Sequence, residues 1–328
     1  TGIFMGAQAL STSFSELVVY RLVVGFFDAA VWIGAMRLII GWFPEKRHGS
    51  AIGALLASYS LAITLDFAVG VPLAQAQGWR VFFYGLALGT VIVAIAGWLM
   101  LRDAPLGSNS ISSGGARVSA QDVSSRSVFA SKWLYVGAAA IFGATFALSA
   151  TATWVVPAFV AVHQMPLERA AVIGSAMGLS QIVILLIGGL LADRIDRLVM
   201  VKLGAALAAA SALAFMVVLT QAVPWGALVT VTIFSGVAVL NGGAIFSALS
   251  ERFGKELAAS AIGYAQIGGI LSSFVAPAAM GWVIERSGGS FLAAFGLFAG
   301  VELAVLAILL NLARDPAQLA SKRLKSSF

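Results

Sequence analysis

Residues 167–219 read LERAAVIGSAMGLSQIVILLIGGLLADRIDRLVMVKLGAALAAASALAFMVVL. Two long apolar stretches flank a short loop that carries Asp193, Arg194, Asp196 and Arg197. About 20 apolar residues are enough for a helix to cross the roughly 30 Å hydrocarbon core of a bilayer. This part of the chain therefore predicts two membrane-spanning helices joined by a charged loop.

The same pattern recurs along the whole chain. The runs are long and continuous and lack the alternation typical of barrel strands, which favours helices. We predict an all-α polytopic membrane protein. An apolar stub at 1–10 is too short to cross alone. After it come nine full segments, at 16–43, 50–75, 80–101, 134–162, 167–191, 198–219, 226–250, 259–284 and 291–313.

Composition excludes several classes of protein. Of the 328 residues, 60% are hydrophobic and 10% charged, and the mean hydropathy is +0.97. A soluble domain has about 25% charged residues, so we exclude a soluble enzyme, a disordered chain and a nucleic-acid-binding protein. The chain has no cysteine and only two histidines, His48 and His163. We therefore expect no metal site, no cofactor and no enzymatic activity.

The basic residues predict the orientation. Fifteen Lys or Arg residues fall in the breaks at 44–49, 102–133, 192–202, 251–258 and 314–328, whereas the opposite ends hold four: Arg21, Arg80, Arg169 and Arg286. Positive charge marks the cytoplasmic side. We expect a multi-pass protein of the cell (inner) membrane with a cytoplasmic C-terminus.

An internal repeat predicts two halves. The tetrapeptide Ser-Ala-Ile-Gly occurs at Ser50–Gly53 and again 210 residues later at Ser260–Gly263. Parallel repeats are one transporter architecture. We predict an incomplete N-terminal helical half at 1–101, a serine-rich cytoplasmic linker at 102–133, a C-terminal half at 134–313 and a cytoplasmic tail at 314–328. The same offset would start the first half about 76 residues before Thr1, so we expect two helices and part of a third to be missing from this chain.

The charged loop resembles a known family motif. Gly189-Leu-Leu-Ala-Asp193-Arg194-Ile-Asp196-Arg197 is similar to the G-x-x-x-D-R-x-G-R loop of the major facilitator superfamily, with Asp196 where that family usually has Gly. Further matches are Arg21-Leu-Val-Val-Gly25, Gly78-Trp79-Arg80 and Trp154-Val-Val-Pro157. The resemblance implies a fold of two six-helix pseudo-repeats. It also implies a conformational latch formed by Gly189, Asp193, Arg194 and Arg197, in which Asp193 pairs with basic groups; a merely basic loop is the alternative.

Charged residues inside the segments are the first candidates for a site, because such charges are costly in a membrane and usually face a polar cavity. These candidates are Arg21, Asp28, Arg37 and Asp66. Asp28 or Asp66 takes up the coupling proton in one interpretation and only neutralises Arg21 in the other. Arg37 either binds an anionic substrate or extends to the interface.

The resemblance adds four residues. In that family the first, fourth, seventh and tenth helices line the central cavity, and packing is the alternative role for any one of the residues on them. The candidates on these helices are Trp32, Thr151, Trp154 and Asn241.

We therefore expect a secondary active transporter that works by alternating access, with proton-coupled uptake of a small organic anion as the specific form. The alternatives are a drug or metabolite efflux antiporter and a non-transporting membrane sensor or inactive fragment. No nucleotide-binding loop occurs in the sequence. The expected partners are a small-molecule substrate, protons and the lipid bilayer, and we expect a monomer.

Overall fold

The structure is a computed structural model that describes residues 1–43, 47–102, 127–220 and 223–312. Within these ranges the chain is helical, with no strand. Most of the predicted linker and the whole predicted tail lie outside the described residues. The all-α fold predicted from the apolar segments is confirmed.

Five helices form what we call the N-terminal group, residues 1–102. A π-helical turn at Asp66–Gly70 joins the third helix to the fourth, so the two make one long segment. The helices are α1 (Gly2–Leu10), α2 (Phe14–Trp42), α3 (His48–Leu65), α4 (Val71–Gln77) and α5 (Trp79–Met100).

Six helices form the C-terminal group, residues 127–312. A 3₁₀ turn at Gly236–Val239 separates two of them. The helices are α6 (Lys132–His163), α7 (Leu167–Ala192), α8 (Arg197–Thr220), α9 (Trp225–Ser235), α10 (Gly242–Arg286) and α11 (Phe291–Leu312).

Local signals explain where helices begin. At the start of α2 the hydroxyl of Ser13 accepts a hydrogen bond from the backbone N–H of Glu16, at 3.2 Å. This satisfies one of the backbone N–H groups that a helix N-terminus leaves free. Gly78 ends α4 and precedes α5 with φ of 88°, a left-handed conformation that glycine adopts without steric cost.

Eight stretches among the described residues are long and apolar enough to cross a membrane. They correspond to eight of the nine predicted segments. The remaining segment, 16–43, corresponds to the 29-residue helix α2, which carries Glu16, Arg21, Asp28 and Arg37. The chain is therefore a multi-pass membrane protein.

Helix α10 spans 45 residues and includes the predicted polar break at 251–258. Leu249 lies against Gly137 of α6, yet Gly268 lies against the adjacent Ala138. A straight helix would separate residues 249 and 268 by about 28 Å. Helix α10 therefore turns back on itself between them, and two spans, Trp225–Phe253 and Ser260–Arg286, flank the charged turn.

A second difference lies inside the predicted segment 226–250. The regular α-helix stops at Ser235 and resumes at Gly242, with the 3₁₀ turn between them. Gly188 of α7 lies against this interruption, since a Cβ there would be 2.2 Å from the Leu240 carbonyl oxygen. The break coincides with this close approach of two backbones and with Gly236, Asn241 and Gly242, residue types that favour turns.

Aromatic side chains form the core of the C-terminal group. Phe146, Phe159, Phe215, Phe295 and Phe298 are each at most 1% exposed and come from α6, α8 and α11. The ring centroids lie between 5.3 and 6.4 Å apart in the pairs Phe146–Phe298, Phe159–Phe215, Phe215–Phe295 and Phe295–Phe298. This is the range of favourable aromatic contacts. This cluster fixes the helices that carry the buried polar residues described below.

Candidate functional site

The N-terminal and C-terminal groups meet along α3 and α7. At the end nearest the linker, the hydroxyl of Ser50 donates a hydrogen bond to Oδ2 of Asp193 at 2.7 Å. Farther along, a Cβ on Gly53 would lie 2.9 Å from the Leu185 carbonyl oxygen and 3.2 Å from the Cα of Gly189. The two backbones therefore touch where neither residue 53 nor residue 189 has a side chain.

The contact continues along both helices. A Cβ at Gly178 of α7 would lie 2.9 Å from the Ser60 carbonyl oxygen, and one at Gly174 would meet the ring of Phe67. Glycine at such positions lets helices approach closely, which is a common mode of helix association in membranes. The groups are thus joined by a seam of small residues, with a polar contact at its linker end.

The motif residues divide their contacts between the two groups. Asp193 bonds Ser50 across the seam. Arg197 forms an ion pair with Glu251 of α10, and its Nη1 donates to the Ser247 carbonyl oxygen at 3.3 Å. Arg194 is exposed. Among the described residues Asp193 has no basic partner within 4 Å, so its observed partner is a hydroxyl rather than the expected cation.

Asp196 stands where the resembled motif usually has glycine. Its Oδ1 accepts a hydrogen bond from the backbone N–H of Val199 at 2.9 Å. This is the geometry of a side chain that caps the N-terminus of the next helix, here α8. The departure from the motif therefore has a local role at the start of α8, and Asp196 does not take part in the seam contacts described above.

Three charged candidates are exposed, two on α2 and one, Asp66, at the start of the π-helical turn that follows α3. Asp28 accepts a hydrogen bond from the Thr1 hydroxyl at 3.1 Å. Arg21 and Asp66 are within electrostatic range of each other, although their charged atoms are more than 4 Å apart. The structure thus brings Arg21 towards Asp66 and gives Asp28 a different neighbour.

Asp66 has a second distinguishing feature, because it opens the π-helical turn of Asp66–Gly70. Such wide turns inside α-helices occur frequently at functional sites. Trp32 and Arg37 lie on α2, but their side chains are outside the described residues.

The candidates of the C-terminal group are enclosed. Thr151 is 3% exposed and donates to the Ala147 carbonyl oxygen of its own helix at 2.7 Å. Trp154 donates to the Pro277 carbonyl oxygen at 3.1 Å, which links α6 to α10. Asn241 is 2% exposed and lies against Gly204 of α8. In this conformation Trp154 and Asn241 contact neighbouring helices and Thr151 bonds its own helix. Among the described side chains none of the three forms a hydrogen bond with Arg21, Asp28 or Asp66.

One residue of chemical interest is missed by the sequence analysis. Glu302 lies midway along α11 and is fully buried. Both carboxyl oxygens lack a hydrogen-bond partner among the described residues. The sequence does contain a signal for this residue, because Glu302 is a charged residue inside the predicted segment 291–313. In the described part of the chain, no group of three or more His, Asp or Glu side chains is arranged to hold a metal ion.

These helices, their glycine seam and the motif-bearing loop define an all-helical, multi-pass membrane protein. A family model of the Major Facilitator Superfamily matches residues 1–269. The chain belongs to this superfamily, which is one of membrane transporters.

A solved structure has a similar fold. It is that of a bacterial homologue of the human lysosomal transporter Spinster, in an inward-facing and occupied conformation. The two chains share 16% sequence identity, with a TM-score of 0.57, and the match covers 95% of this chain and 78% of the other. At this level of identity the similarity is one of fold alone.

Proposed function

We propose that the protein is a secondary active transporter that moves a small molecule by alternating access. The observation that carries this proposal is the seam between the two helix groups. At its linker end it is closed, among the described residues, by backbone contact at Gly53 and by the exposed hydrogen bond from Ser50 to Asp193. A hydrogen bond of this kind contributes only about 0.5–3 kcal/mol, so such a contact can open and close during a transport cycle.

The proposed substrate is a small organic anion and the proposed direction is uptake coupled to protons. Arg21 is an exposed cation on a membrane helix, and Arg37 lies two turns beyond Asp28 on the same helix. A guanidinium pairs well with a carboxylate. Asp66, near Arg21, or Asp28 would carry the proton. The proposed site of action is the cell (inner) membrane, as a monomer with the linker and tail in the cytoplasm.

Flux measurements test the proposal directly. The purified protein, reconstituted in phosphatidylethanolamine–phosphatidylglycerol vesicles, is given a panel of radiolabelled mono- and dicarboxylates with and without an acid-outside pH gradient. We expect at least one anion to accumulate, and a protonophore to abolish the accumulation. Export driven by the gradient would instead identify the efflux alternative. No flux of any compound would overturn the transporter proposal and favour a sensor.

A pair of variants tests the seam. Asp193→Ala removes the acceptor for Ser50, whereas Glu168→Ala removes an exposed carboxylate at the other end of α7. We expect uptake to fall several-fold only in Asp193→Ala. The chain has no cysteine, so a single cysteine introduced near residue 50 also reports opening, as faster maleimide labelling in that variant. Equal uptake and labelling in both variants would contradict the role of the contact.

A further inference from the structure

Glu302 is an unusual carboxyl because the protein around it is apolar. Its neighbours one turn away on α11 are Phe298, Ala299, Val305 and Leu306, and the first three are at most 5% exposed. On the facing helix α6 a Cβ at Gly143 would lie 3.2 Å from Oε2 of Glu302. The carboxyl therefore lies against a glycine backbone at the middle of α11, with no room for a larger side chain at residue 143.

Among the described residues that pack against the middle of α11, there is no counter-charge. Three helices pack against α11, namely α6, α8 and α10. Their central stretches 136–162, 203–220 and 265–284 contain no Asp, Glu, Lys, Arg, His or Tyr. Their titratable and charged residues lie outside these stretches, near helix ends or in the turn of α10: Lys132, Tyr135, His163, Arg197, Lys202, Glu251, Arg252, Lys255, Glu256, Tyr264, Glu285 and Arg286.

An ionised carboxylate without a partner is very costly in such surroundings, and a neutral carboxylic acid is much less so. We propose that Glu302 is a proton-binding site of this transporter, which holds a proton while α11 packs on Gly143 and exchanges it along the α6–α11 interface when the helices move. The inference rests on the proposed transport function and adds a second proton-binding carboxyl, Glu302, to the one proposed at Asp28 or Asp66.

Infrared spectroscopy tests this on the whole protein in lipid vesicles, without a substrate. The carbonyl band of a protonated carboxylic acid is separate from the bands of a carboxylate. We expect the native protein to show a band that disappears on perfusion with alkaline buffer, returns with acid buffer and shifts in heavy water. Glu302→Gln should lose this component, and Glu285→Gln, which changes an exposed carboxylate on α10, should keep it.

Two further variants keep the test decisive if Glu302→Gln does not fold. Glu302→Asp retains a carboxyl and should shift the frequency of the band. Gly143→Ala should also shift it, because the new Cβ meets Oε2, whereas Gly300→Ala on α11 adds a methyl group with nothing within 4 Å and should not. A band that persists in Glu302→Gln, or one that responds to neither pH nor heavy water, would overturn the proposal.

The infrared experiment and the flux experiment can fail independently of each other. A titrating Glu302 band without any flux leaves the proton site standing and rejects transport. Proton-driven flux without a titrating band at residue 302 leaves transport standing and assigns the coupling to another carboxyl, which rejects the inference.

Discussion

Three charged residues of the N-terminal group and three polar residues of the C-terminal group lie in opposite environments. In the N-terminal group Arg21, Asp28 and Asp66 are exposed, and α5 has no buried residue at all. In the C-terminal group Thr151, Asn241 and Glu302 are each at most 3% exposed. In this conformation, then, these three charged residues of the N-terminal group are exposed, whereas these three polar residues of the C-terminal group are buried.

The same contrast holds for apolar side chains. Leu88 and Trp98 of α5 are 63% and 84% exposed, whereas Leu309 of α11 is fully buried. In a bilayer, exposed apolar groups face hydrocarbon and need no protein partner. In the described structure the C-terminal group therefore holds a packed apolar core, whereas α5 has no buried residue.

The largest expected effect tests this contrast with one substitution in each group. Leu309→Ala opens a cavity in the C-terminal core and should lower the free energy of unfolding by about 2–5 kcal/mol. Leu88→Ala removes the same atoms from an exposed site, so we expect a change of less than about 0.5 kcal/mol. Reversible unfolding in mixed micelles, followed by tryptophan fluorescence, measures both. Equal losses would mean that α5 is packed as tightly as α11.

The sequence predicts the membrane-spanning helices well and the contacts between them poorly. Long apolar runs identify spans because a bilayer imposes a minimum length. The turn at 251–258 was predicted as a loop because its composition is charged, but the same residues are compatible with a helix. The interruption at 236–241 has local signals in Gly236 and Asn241-Gly242, but the approach of Gly188 to Leu240 is visible only in the structure.

For the site residues, too, the sequence identifies the residue but not its contact partners. Asp193 was identified from the motif, yet its partner Ser50 is 143 residues away, and no pattern in one sequence connects them. Glu302 was overlooked even though it lies in a predicted span. The sequence places such a residue in the membrane, but only the packing of α6 against α11 shows that no partner stands beside it in the described structure.

A smaller effect is expected where the two groups touch. Gly53→Ala places a Cβ 2.9 Å from the Leu185 carbonyl oxygen, and a backbone atom cannot rotate away. Overpacking of this kind costs about 1–3 kcal/mol. We expect α3 and α7 to separate at their linker ends, which two spin labels on cysteines introduced near residues 50 and 193 would detect as a longer distance.

Gly85→Ala on α5 is the matched control, because the added Cβ has nothing within 4 Å. Its distance distribution should equal that of the parent protein. An unchanged distance distribution in Gly53→Ala would show that other parts of the seam adjust to the added Cβ. Gly53 would then not determine how closely the two groups approach each other.

The smallest expected effect concerns Asp196, whose side chain caps α8 within the C-terminal group. Asp196→Gly restores the residue of the resembled motif but removes the hydrogen bond to the Val199 N–H. Glycine is itself tolerated at a helix N-cap, so we expect a loss of only a few tenths of a kcal/mol, and about 1 kcal/mol for Asp196→Ala. Asp196→Asn keeps an acceptor oxygen and should match the parent protein. Thermal unfolding in the same micelles measures this order of stabilities.

Uptake should be unchanged in all three variants, because Asp196 does not contact the seam. Uptake reduced as strongly as in Asp193→Ala would instead place Asp196 in the latch and remove the distinction between a residue that caps one group and a residue that joins the two.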